Sequence, residues 1–508
     1  MADVFKTPGV YIKEIPSFPP SIAEVETAIP AFIGYTEMAT YNGKAIVDPV
    51  RITSLLEYEV LFGKAQKETA LSVTITDTTV NGITTRTFKP DIDAAAQSKF
   101  KMYYSLQMYF ANGGGPCYIV STGDYSAAPE IGDATKGLTL GLNKIAAFDE
   151  PTLLLFPDAQ ALSDANFYSL MKSALDQCAL LQDRFVIMDV QQKTGASGIV
   201  TSTLDSFRGA DGAPLGSDIE RLKYGAAYFP NLKTILNYRY DEADLKIKYV
   251  TVAAGVTTEL TTDDPADTDI EDLRMSHLVN TPTGATGIQA NIIGGLKIPN
   301  TELYNQVKQE VQKITVTVPA SGPVAGIYAK VDSSRGVWKA PANESLSYVT
   351  EAVVKITHQD QMNMNVDATS GKTLNAIRYF NGKGVLVWGS RTLAGNDNEW
   401  RYVPVRRFFN FAEESIKKGT EWVVFEPNDA NTWARVKGMI ENFLLKQWRS
   451  GALAGAKPEH AFFVKVGLGV TMTALDILEG RLNVEIGMAV VRPAEFIILK
   501  FSHKLQES

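Results

Sequence analysis

The chain has 508 residues, of which 45% are hydrophobic and 21% charged. That composition is typical of a folded globular protein and excludes a disordered or fibrous one. The length exceeds one ordinary core, so about two to four domains are expected. The net charge of -8 argues against nucleic acid as the main partner.

Charge is distributed unevenly along the chain. From Asn375 onward there are 18 Lys and Arg against 14 Asp and Glu, a net of +4, so residues 1–374 carry -12. This asymmetry indicates either a basic module that docks on an acidic partner or chance surface composition.

The only two cysteines, Cys117 and Cys178, imply no disulfide framework and favour a reducing compartment. Neither a signal peptide nor an apolar run of membrane-spanning length is recognisable, so a cytoplasmic product is expected.

The first 22 residues do not resemble the start of a core. The segment Gly9–Ile15 is predicted to be a short strand, and prolines on both sides hold the flanking chain extended. The strand is either an edge strand of the chain's own sheet or an arm that pairs with the sheet edge of another subunit. The residues that would carry the pairing are Val10, Tyr11, Ile12 and Ile15.

Residues 23–238 alternate between strand and helix signals. The pattern predicts a buried strand within Ile22–Ala39, a short helix at Arg51–Gly63, a surface hairpin at Val73–Phe88 around Asn81-Gly82, and a helix at Gln97–Phe110. The run NGGGPCYIV lacks the Lys-Ser/Thr of a phosphate loop and favours a tight helix-to-strand turn. Two apolar runs, PTLLLF and DRFVIMDV, flank a predicted helix and indicate a βαβ unit. An α/β architecture follows.

Residues 239–316 change character and are predicted to be a surface-exposed insertion. They include seven acids and no base between Glu259 and Asp272. The glycine and closing glutamate of a calcium-binding EF-hand are missing there, which favours a solvated surface over a metal site. The α/β core is expected to resume in residues 317–374.

Enzymatic motifs are missing at the required spacings. Four histidines exist, His277, His358, His460 and His503, and no serine near His358 lies in a nucleophile-elbow context. Gly371-Lys372-Thr373 imitates the end of a phosphate loop, but Val366 stands where that motif needs glycine. No catalytic, metal or cofactor site is therefore predicted.

Residues 375–494 are predicted to form a separate C-terminal α+β module. One helix spans Val405–Lys418 and is closed by Gly419, and a second spans Thr432–Trp448 with Asn431 as its cap. The second helix has an apolar stripe for packing on a sheet. Its opposite face is either merely solvated or binds a partner, and it carries Arg435, Lys437, Glu441, Lys446 and Arg449.

Two strands are predicted at the end of the chain. Residues Arg481–Val491 alternate between apolar and polar side chains, and Glu495–Lys504 forms the last strand. The last strand would aggregate if left unpaired, so it either folds into its own sheet or joins the sheet of a neighbour. Its apolar residues are Phe496, Ile497, Ile498, Leu499 and Phe501.

Several blocks resemble the contractile tail sheath family of phage tails, R-type bacteriocins and extracellular contractile injection systems. They are TPGVYIKEIPSFPPSIAEVETAIPAFIGYT near the start, and GKGVLVWGSRTL, EWRYVPVRRFF, FEPNDANTW and RPAEFIILKF near the end. The block Val318–Leu346 also resembles that family, whose middle region is similar in fold to subtilisin-like α/β domains. The resemblance extends over most of the chain.

The resemblance implies a multi-domain α/β fold with a subtilisin-like middle domain and a C-terminal sheath module completed by exchanged terminal strands. Residues 1–22 would be a linking arm, residues 495–508 a linking strand, and the charged helix would face an inner tube. The protein would be a structural subunit without enzymatic activity or cofactor. It would polymerise around the tube and contract to drive the tube through a target membrane.

The same resemblance implies partners and a location. The partners would be further copies of the chain, the inner tube protein, and the baseplate and tail terminator proteins, with no nucleic acid binding and no membrane insertion. Assembly would occur in the bacterial cytoplasm, before release as a virion tail or phage tail-like particle. Two alternatives stay open: a subtilisin-like hydrolase using a serine near His358, and another self-assembling shell or tube protein.

Overall fold

The structure, a computed structural model, describes residues 21–209, 215–253, 256–260, 273–279, 292–293, 296–297, 299–367 and 369–499. The predictions for Val10, Tyr11, Ile12, Ile15 and Phe501 therefore lie outside the described residues, as does most of the acidic segment after Glu259.

The strands of the described chain are numbered in sequence order. They are β1 (Pro30–Gly34), β2 (Thr40–Tyr41), β3 (Lys44–Ala45), β4 (Val50–Ile52), β5 (Leu71–Val80), β6 (Ile83–Ile92), β7 (Cys117–Ser121), β8 (Leu153–Leu155), β9 (Phe185–Met188), β10 (Gly225–Phe229), β11 (Leu232–Asn237), β12 (Lys246–Ala253), β13 (Val256–Leu260), β14 (Ile292–Ile293), β15 (Leu296–Lys297), β16 (Thr315–Val318), β17 (Glu344–Ser345), β18 (Val349–Ala352), β19 (Leu374–Phe380), β20 (Gly384–Val387), β21 (Phe462–Val466) and β22 (Val484–Met488).

The α-helices are numbered in the same way. They are α1 (Leu55–Phe62), α2 (Met102–Ala111), α3 (Gly137–Ile145), α4 (Asp164–Leu181), α5 (Ile199–Arg208), α6 (Ile219–Leu222), α7 (Thr301–Val311), α8 (Ser321–Arg335), α9 (His358–Asn365), α10 (Val403–Thr420), α11 (Ala430–Arg449), α12 (Pro458–Ala461) and α13 (Ala474–Leu478).

A nine-stranded sheet organises the larger part of the molecule, in the order β17-β20-β19-β10-β9-β8-β1-β7-β4. The six strands from β19 to β7 are parallel, and the strands beyond them at each edge pair antiparallel. Numbered along the chain, the parallel strands lie in the order 2-1-3-4-5-6, the arrangement of a doubly wound sheet. The predicted α/β architecture and the β8-α4-β9 unit are confirmed.

The central strands are short and apolar because both faces of the sheet are covered. In β1, Phe32 packs in one core with residues of α2 and α8, and its neighbours Ala31 and Ile33 pack in a second core with residues of α3 and α4. The alternation along a strand sends successive side chains into opposite cores. This is why β8 consists of Leu153, Leu154 and Leu155, all fully buried.

Helices α2 and α8 approach each other closely through glycine. A Cβ atom at Gly322 would lie 2.6 Å from the carbonyl oxygen of Ser105, and one at Gly326 would lie 2.6 Å from that of Tyr109. Both neighbours are backbone atoms of α2, which cannot yield as a flexible side chain does. The four-residue spacing places both glycines on the side of α8 that meets α2.

A second sheet has the order β13-β12-β5-β6 and corrects the prediction of two separate surface segments. The predicted hairpin is confirmed, with Asn81 and Gly82 both at positive φ. However, β5 also pairs in parallel with β12, which belongs to the predicted insertion 239–316. The two segments therefore form one sheet, and its buried side chains Val73 and Ile75 join a core that includes Leu303 of α7.

The described chain divides into two compact units, residues 26–407 in one and residues 21–25 with 408–499 in the other. The predicted boundary at residue 375 is wrong, because β19 and β20 belong to the nine-stranded sheet. Strand β19 pairs in parallel with β10, so these residues extend the sheet of the first unit and do not begin a separate module.

The second unit contains the two long helices that the sequence predicts, with two corrections. Helix α10 continues to Thr420, so Gly419 lies inside it and does not close it. Asp429, rather than Asn431, caps α11, since its carboxylate accepts a hydrogen bond from the backbone N–H of Thr432 at 2.9 Å. The apolar stripe of α11 is confirmed at its buried positions Val436, Ile440, Phe443 and Leu444. None of the helices in the described ranges has the length and apolar character needed to span a bilayer.

Candidate assembly interface

The second unit holds a small sheet of β21 and β22, paired antiparallel from Phe462↔Met488 to Val466↔Val484. Within the described residues this sheet has two strands. Helix α11 packs against β21 and gives the sheet one covered face. A two-stranded sheet is marginal by itself and gains stability from a third strand.

The predicted last strand is not part of this sheet in the single chain. In the single chain, residues Glu495–Leu499 form no strand, so pairing within the chain's own sheet is not observed for the residues described. Phe496, Ile497, Ile498 and Leu499 are 70%, 79%, 80% and 72% exposed. Four consecutive exposed apolar side chains are unusual on a soluble surface and indicate a segment that another surface covers.

The residues that follow the N-terminal segment pack in this same unit. Ile22 is buried. The backbone N–H of Val25 donates to Ser415 Oγ of α10 at 3.2 Å. Glu24 Oε1 accepts from Gln447 Nε2 of α11 at 2.9 Å and lies 2.8 Å from Lys446 Nζ. Both ends of the described chain therefore belong to the unit that holds the two-stranded sheet.

The five charged residues predicted on one face of α11 lie on two different sides of the helix. At about 100° per residue, Arg435, Lys446 and Arg449 fall within a sector of about 60°, and Lys437 and Glu441 lie about 80° or more away from it. The first three form a basic flank. Lys437 and Glu441 lie one turn apart and pair with each other at 3.7 Å, so their charges offset.

Two contacts fix parts of the basic flank. The guanidinium of Arg435 stacks on the ring of Trp422 with its carbon 4.5 Å from the ring centre, and Lys446 pairs with Glu24. Arg449 is exposed at the end of the helix. An exposed basic flank of this kind attracts an acidic surface, and the attraction weakens as salt is added.

A buried carboxylate, Asp158, occupies the position beyond the carboxyl ends of the strands where α/β proteins commonly bind ligands. Ligands of such sheets bind beyond the carboxyl ends of the strands, where the strand order reverses, which here is between β1 and β8. Asp158 follows β8 and is fully buried at that position. Its Oδ2 accepts from Tyr35 N at 2.8 Å, and its Oδ1 accepts from Lys101 N and Met102 N at 2.6 and 3.0 Å. The carboxylate thereby joins β1 to the start of α2.

A second buried carboxylate has the same role one strand further along. Asp189 follows β9, and its Oδ1 accepts from Ser321 N at 2.7 Å while its Oδ2 accepts from Ser321 Oγ at 2.5 Å. Burial raises the pKa of Asp158 to about 6 and that of Asp189 to about 7. The sequence analysis missed both residues, although each is an acid placed directly after an apolar strand.

The geometry does not assemble a hydrolase. Ser321 is fully buried and bonded to Asp189, and among the described histidines none bonds to a serine hydroxyl. His358 lies exposed at the start of α9, and His277 accepts from the backbone N–H of Arg274. Within the described ranges no cluster of His, Cys, Asp or Glu could hold a metal ion.

Comparison with known proteins finds similarity to tail sheath proteins. Residues 395–504 match the family described as the phage tail sheath C-terminal domain. The tail sheath protein of Vibrio phage KVP40 is 27% identical over 127 residues, which are 25% of this chain and 19% of that protein. The tail sheath protein of Enterobacteria phage T4 is 24% identical over 115 residues, 23% of this chain and 17% of that protein. The chain thus matches about a fifth of the length of these relatives.

Solved structures match along the whole chain. The helical sheath of the anti-feeding prophage in its contracted state is 30% identical, with 99% of this chain and 100% of that chain covered and a TM-score of 0.59. The contracted PVC sheath complex, from an extracellular contractile injection system, is 27% identical, with 99% of both chains covered and the same TM-score.

The matching family and the structural neighbours are structural sheath proteins and not enzymes. More narrowly, the chain belongs to the contractile tail sheath protein family, which the resemblance of its terminal blocks predicts.

Proposed function

We propose that the chain is a subunit of a contractile sheath that polymerises around an inner tube and contracts to drive the tube through a target membrane. Exchanged strands, one from each end of the chain, link the subunits. The observation that carries this proposal is the two-stranded sheet β21-β22, in the same unit from which both terminal segments depart. Each terminal segment supplies a strand to the corresponding sheet of a neighbour.

Energetic considerations support such links. An added strand of five residues forms about five backbone hydrogen bonds, each worth about 0.5–1.5 kcal/mol net. Covering a side chain such as Ile497 or Ile498 contributes a further ~1.5–3 kcal/mol. Several kcal/mol per link, repeated through a closed mesh, makes dissociation of the polymer very slow.

Contraction is then a change between two packings of the same subunits. The links are made by the main chain and are tethered by the proline-rich segment after Ile15, so they persist while the subunits rotate and slide. The extended packing is metastable around the tube, and the contracted packing is the lower in free energy. In the particle, the same subunits contact the baseplate and tail terminator proteins.

The basic flank of α11 is the proposed contact with the tube, now restricted to Arg435, Lys446 and Arg449. Lys437 and Glu441 pair with each other and Lys446 pairs with Glu24, so all three are weaker candidates than the exposed Arg449. We place assembly in the bacterial cytoplasm, followed by release as part of a phage tail or phage tail-like particle. No role in binding nucleic acid and no insertion into the membrane are proposed.

Negative-stain electron microscopy of the purified chain tests the proposal. Full-length protein is expected to form hollow cylinders, and variants lacking residues 1–20 or residues 495–508 are expected to remain dispersed and folded. Val10→Pro is expected to act like the N-terminal deletion, because proline removes a backbone donor from the arm. Cylinders formed by all three variants would refute strand exchange.

A matched pair of variants separates strand exchange from loss of apolar surface. Replacing Phe496, Ile497, Ile498 and Leu499 by serine is expected to abolish cylinders. Leu180→Ser removes a comparably exposed apolar side chain from the other unit and is expected to leave them intact. No labelling by an active-site serine probe is expected, and labelling would contradict the assignment of the chain as a structural protein.

A further inference from the structure

Residues 421–429, the turn between α10 and α11, present a fully exposed phenylalanine in a strained backbone conformation. The backbone N–H of Glu426 donates to the carbonyl oxygen of Val423 at 3.0 Å and closes the turn. Between them, Val424 has φ -63° and ψ 124°, and Phe425 has φ 69°. These angles define a type II turn, in which the position of Phe425 favours glycine, so a bulky residue there is strained. Because the Phe425 side chain is fully exposed, little packing within the subunit offsets that strain.

Contacts on both sides hold this turn in place. On one side, the ring of Trp422 stacks against the guanidinium of Arg435 in α11, whose carbon lies 4.5 Å from the ring centre. On the other side, Asn428 Oδ1 accepts from Trp433 Nε1 at 2.7 Å. Asn428 Nδ2 also donates to the carbonyl oxygen of Arg481 at 2.9 Å. The turn is therefore a fixed support, which lowers the ordering cost of binding through its tip.

The turn lies at the end of the small sheet where β22 begins, because Arg481 precedes that strand by three residues. Within the described residues β21 and β22 pair only with each other, so each has an open outer edge. Two exposed acids, Glu421 and Glu426, flank the tip, and neither forms an ion pair with a described residue. The tip thus combines an apolar centre, Val424 and Phe425, with an acidic border.

The terminal segment of the chain has the complementary chemistry. Its exposed apolar residues 496–499 are preceded by Arg492 and followed in the sequence by Lys500. Arg492 is exposed and forms no ion pair with the described part of the chain, and Lys500 lies outside that part. An apolar run with a basic border therefore matches an apolar tip with an acidic one. Since Phe425 and residues 496–499 are all exposed in the single chain, this match is not used within one subunit.

We propose that the turn of residues 421–429 receives the terminal segment of a second copy of this chain, with the Phe425 ring packed against its apolar run. The inference rests on the proposed strand exchange and adds the surface that the incoming segment meets beside the sheet. Contact with the segment removes exposed apolar area from both copies. Phe425 thus costs stability in the dispersed chain and contributes to the polymer.

Binding of a fluorescent peptide, with the sequence of residues 492–508, to the dispersed full-length chain tests this contact. Fluorescence anisotropy is expected to show saturable binding to the natural chain. Phe425→Gly is expected to weaken that binding by at least about tenfold, because the anchoring ring is lost. The variant should remain folded by circular dichroism, because glycine favours the positive φ that the turn requires.

Tyr348→Gly is the matched control, since Tyr348 is also an exposed aromatic residue at a positive φ, 63°, and lies in the other unit. It is expected to bind the peptide like the natural chain. Glu426→Lys reverses a charge on the acidic border and should weaken binding most at low salt. The proposal would be overturned by absence of binding to the natural chain, by equal affinities of the natural chain and Phe425→Gly, or by equal losses in Phe425→Gly and Tyr348→Gly.

This result is separable from that of the proposed function, because peptide binding does not require cylinders. A natural chain that formed no cylinders but bound the peptide through Phe425 would support the docking contact and refute the polymer. Co-sedimentation with purified tubes tests the other occupant of the turn. If Phe425→Gly lost tube binding and bound the peptide like the natural chain, the occupant would be the tube, and the proposal would be wrong.

Discussion

The two buried carboxylates at the edge of the nine-stranded sheet differ in what their oxygens accept. Both oxygens of Asp158 accept backbone N–H groups, so an amide there would turn a donor toward a donor. Asp189 accepts a backbone N–H with one oxygen and the hydroxyl of Ser321 with the other, and that hydroxyl can reverse its role. Asp158→Asn is expected to lower the free energy of unfolding by about 1–3 kcal/mol, and Asp189→Asn by less than about 1 kcal/mol. Urea unfolding followed by circular dichroism measures both, and equal losses would contradict this account.

The same residues predict how stability depends on pH. Burial raises the pKa of Asp189 to about 7, so the folded chain holds a proton that the unfolded chain releases near pH 4. Its contribution to stability is complete below pH 4 and is lost as the pH rises through about 7. Burial also raises the pKa of Asp158, to about 6, although three backbone N–H donors oppose that rise.

The free energy of unfolding is therefore expected to fall between pH 5 and pH 8, and Asp189→Asn should reduce that slope. Urea midpoints measured across this range provide the test. A slope that Asp189→Asn leaves unchanged would place the titrating group elsewhere.

At the scale of elements, the contact of α2 with α8 depends on two positions without side chains. Gly322→Ala and Gly326→Ala would each bring a methyl group to 2.6 Å from a backbone oxygen, and each is expected to destabilise the chain by about 1–3 kcal/mol. Gly115→Ala is the control, because a Cβ there has no neighbour within 4 Å. Denaturant midpoints compare the three variants, and a loss at Gly115 as large as at Gly322 would contradict the close-packing explanation.

The two sides of α11 are expected to respond differently to charge reversal. Arg449→Glu reverses a charge on the basic flank and should weaken sheath formation on the tube, with a larger effect at low salt. Lys437→Glu, on the other side, should have little effect. Co-sedimentation of the chain with purified tubes at two salt concentrations measures both variants. Equal loss in both would show that α11 does not contact the tube through its basic flank.

Local patterns predict individual elements but not which elements pair. Asn81-Gly82 predicts its hairpin because both residues tolerate positive φ, and the leucines of β8 predict a buried strand because few polar groups interrupt them. The parallel pairing of β5 with β12 joins residues some 170 positions apart, and no local signal encodes it. The cap of α11 is ambiguous for a related reason, since Asp429 and Asn431 are both good capping residues two positions apart.

For the whole molecule, the exposed terminal segment contributes little to the stability of the single chain. Phe496–Leu499 are exposed, so their removal uncovers no core. Replacing these four residues by serine is expected to change the free energy of unfolding of the dispersed chain by less than about 1 kcal/mol, the usual range for surface changes. Thermal unfolding of the dispersed proteins tests this, and a larger loss would show that the segment packs within its own subunit.

Among whole-molecule properties, the sheath family could be predicted from the terminal blocks, whereas the buried carboxylates could not. Asp158 and Asp189 are ordinary acids in the sequence, and their role depends on which helix begins beside each strand end.

The packing of residues 21–25 has a mechanical consequence. Glu24 and Val25 bond to α10 and α11, in the unit that also contains Leu499. A tension applied between residues 21 and 499 loads these contacts first, because residues 26–407 are inserted in the sequence between two parts of the same unit. Force transmitted along a row of linked subunits would then bypass the large sheets. If the proposed strand exchange links the subunits, those sheets are free to vary in sequence and to carry surface additions without weakening the row.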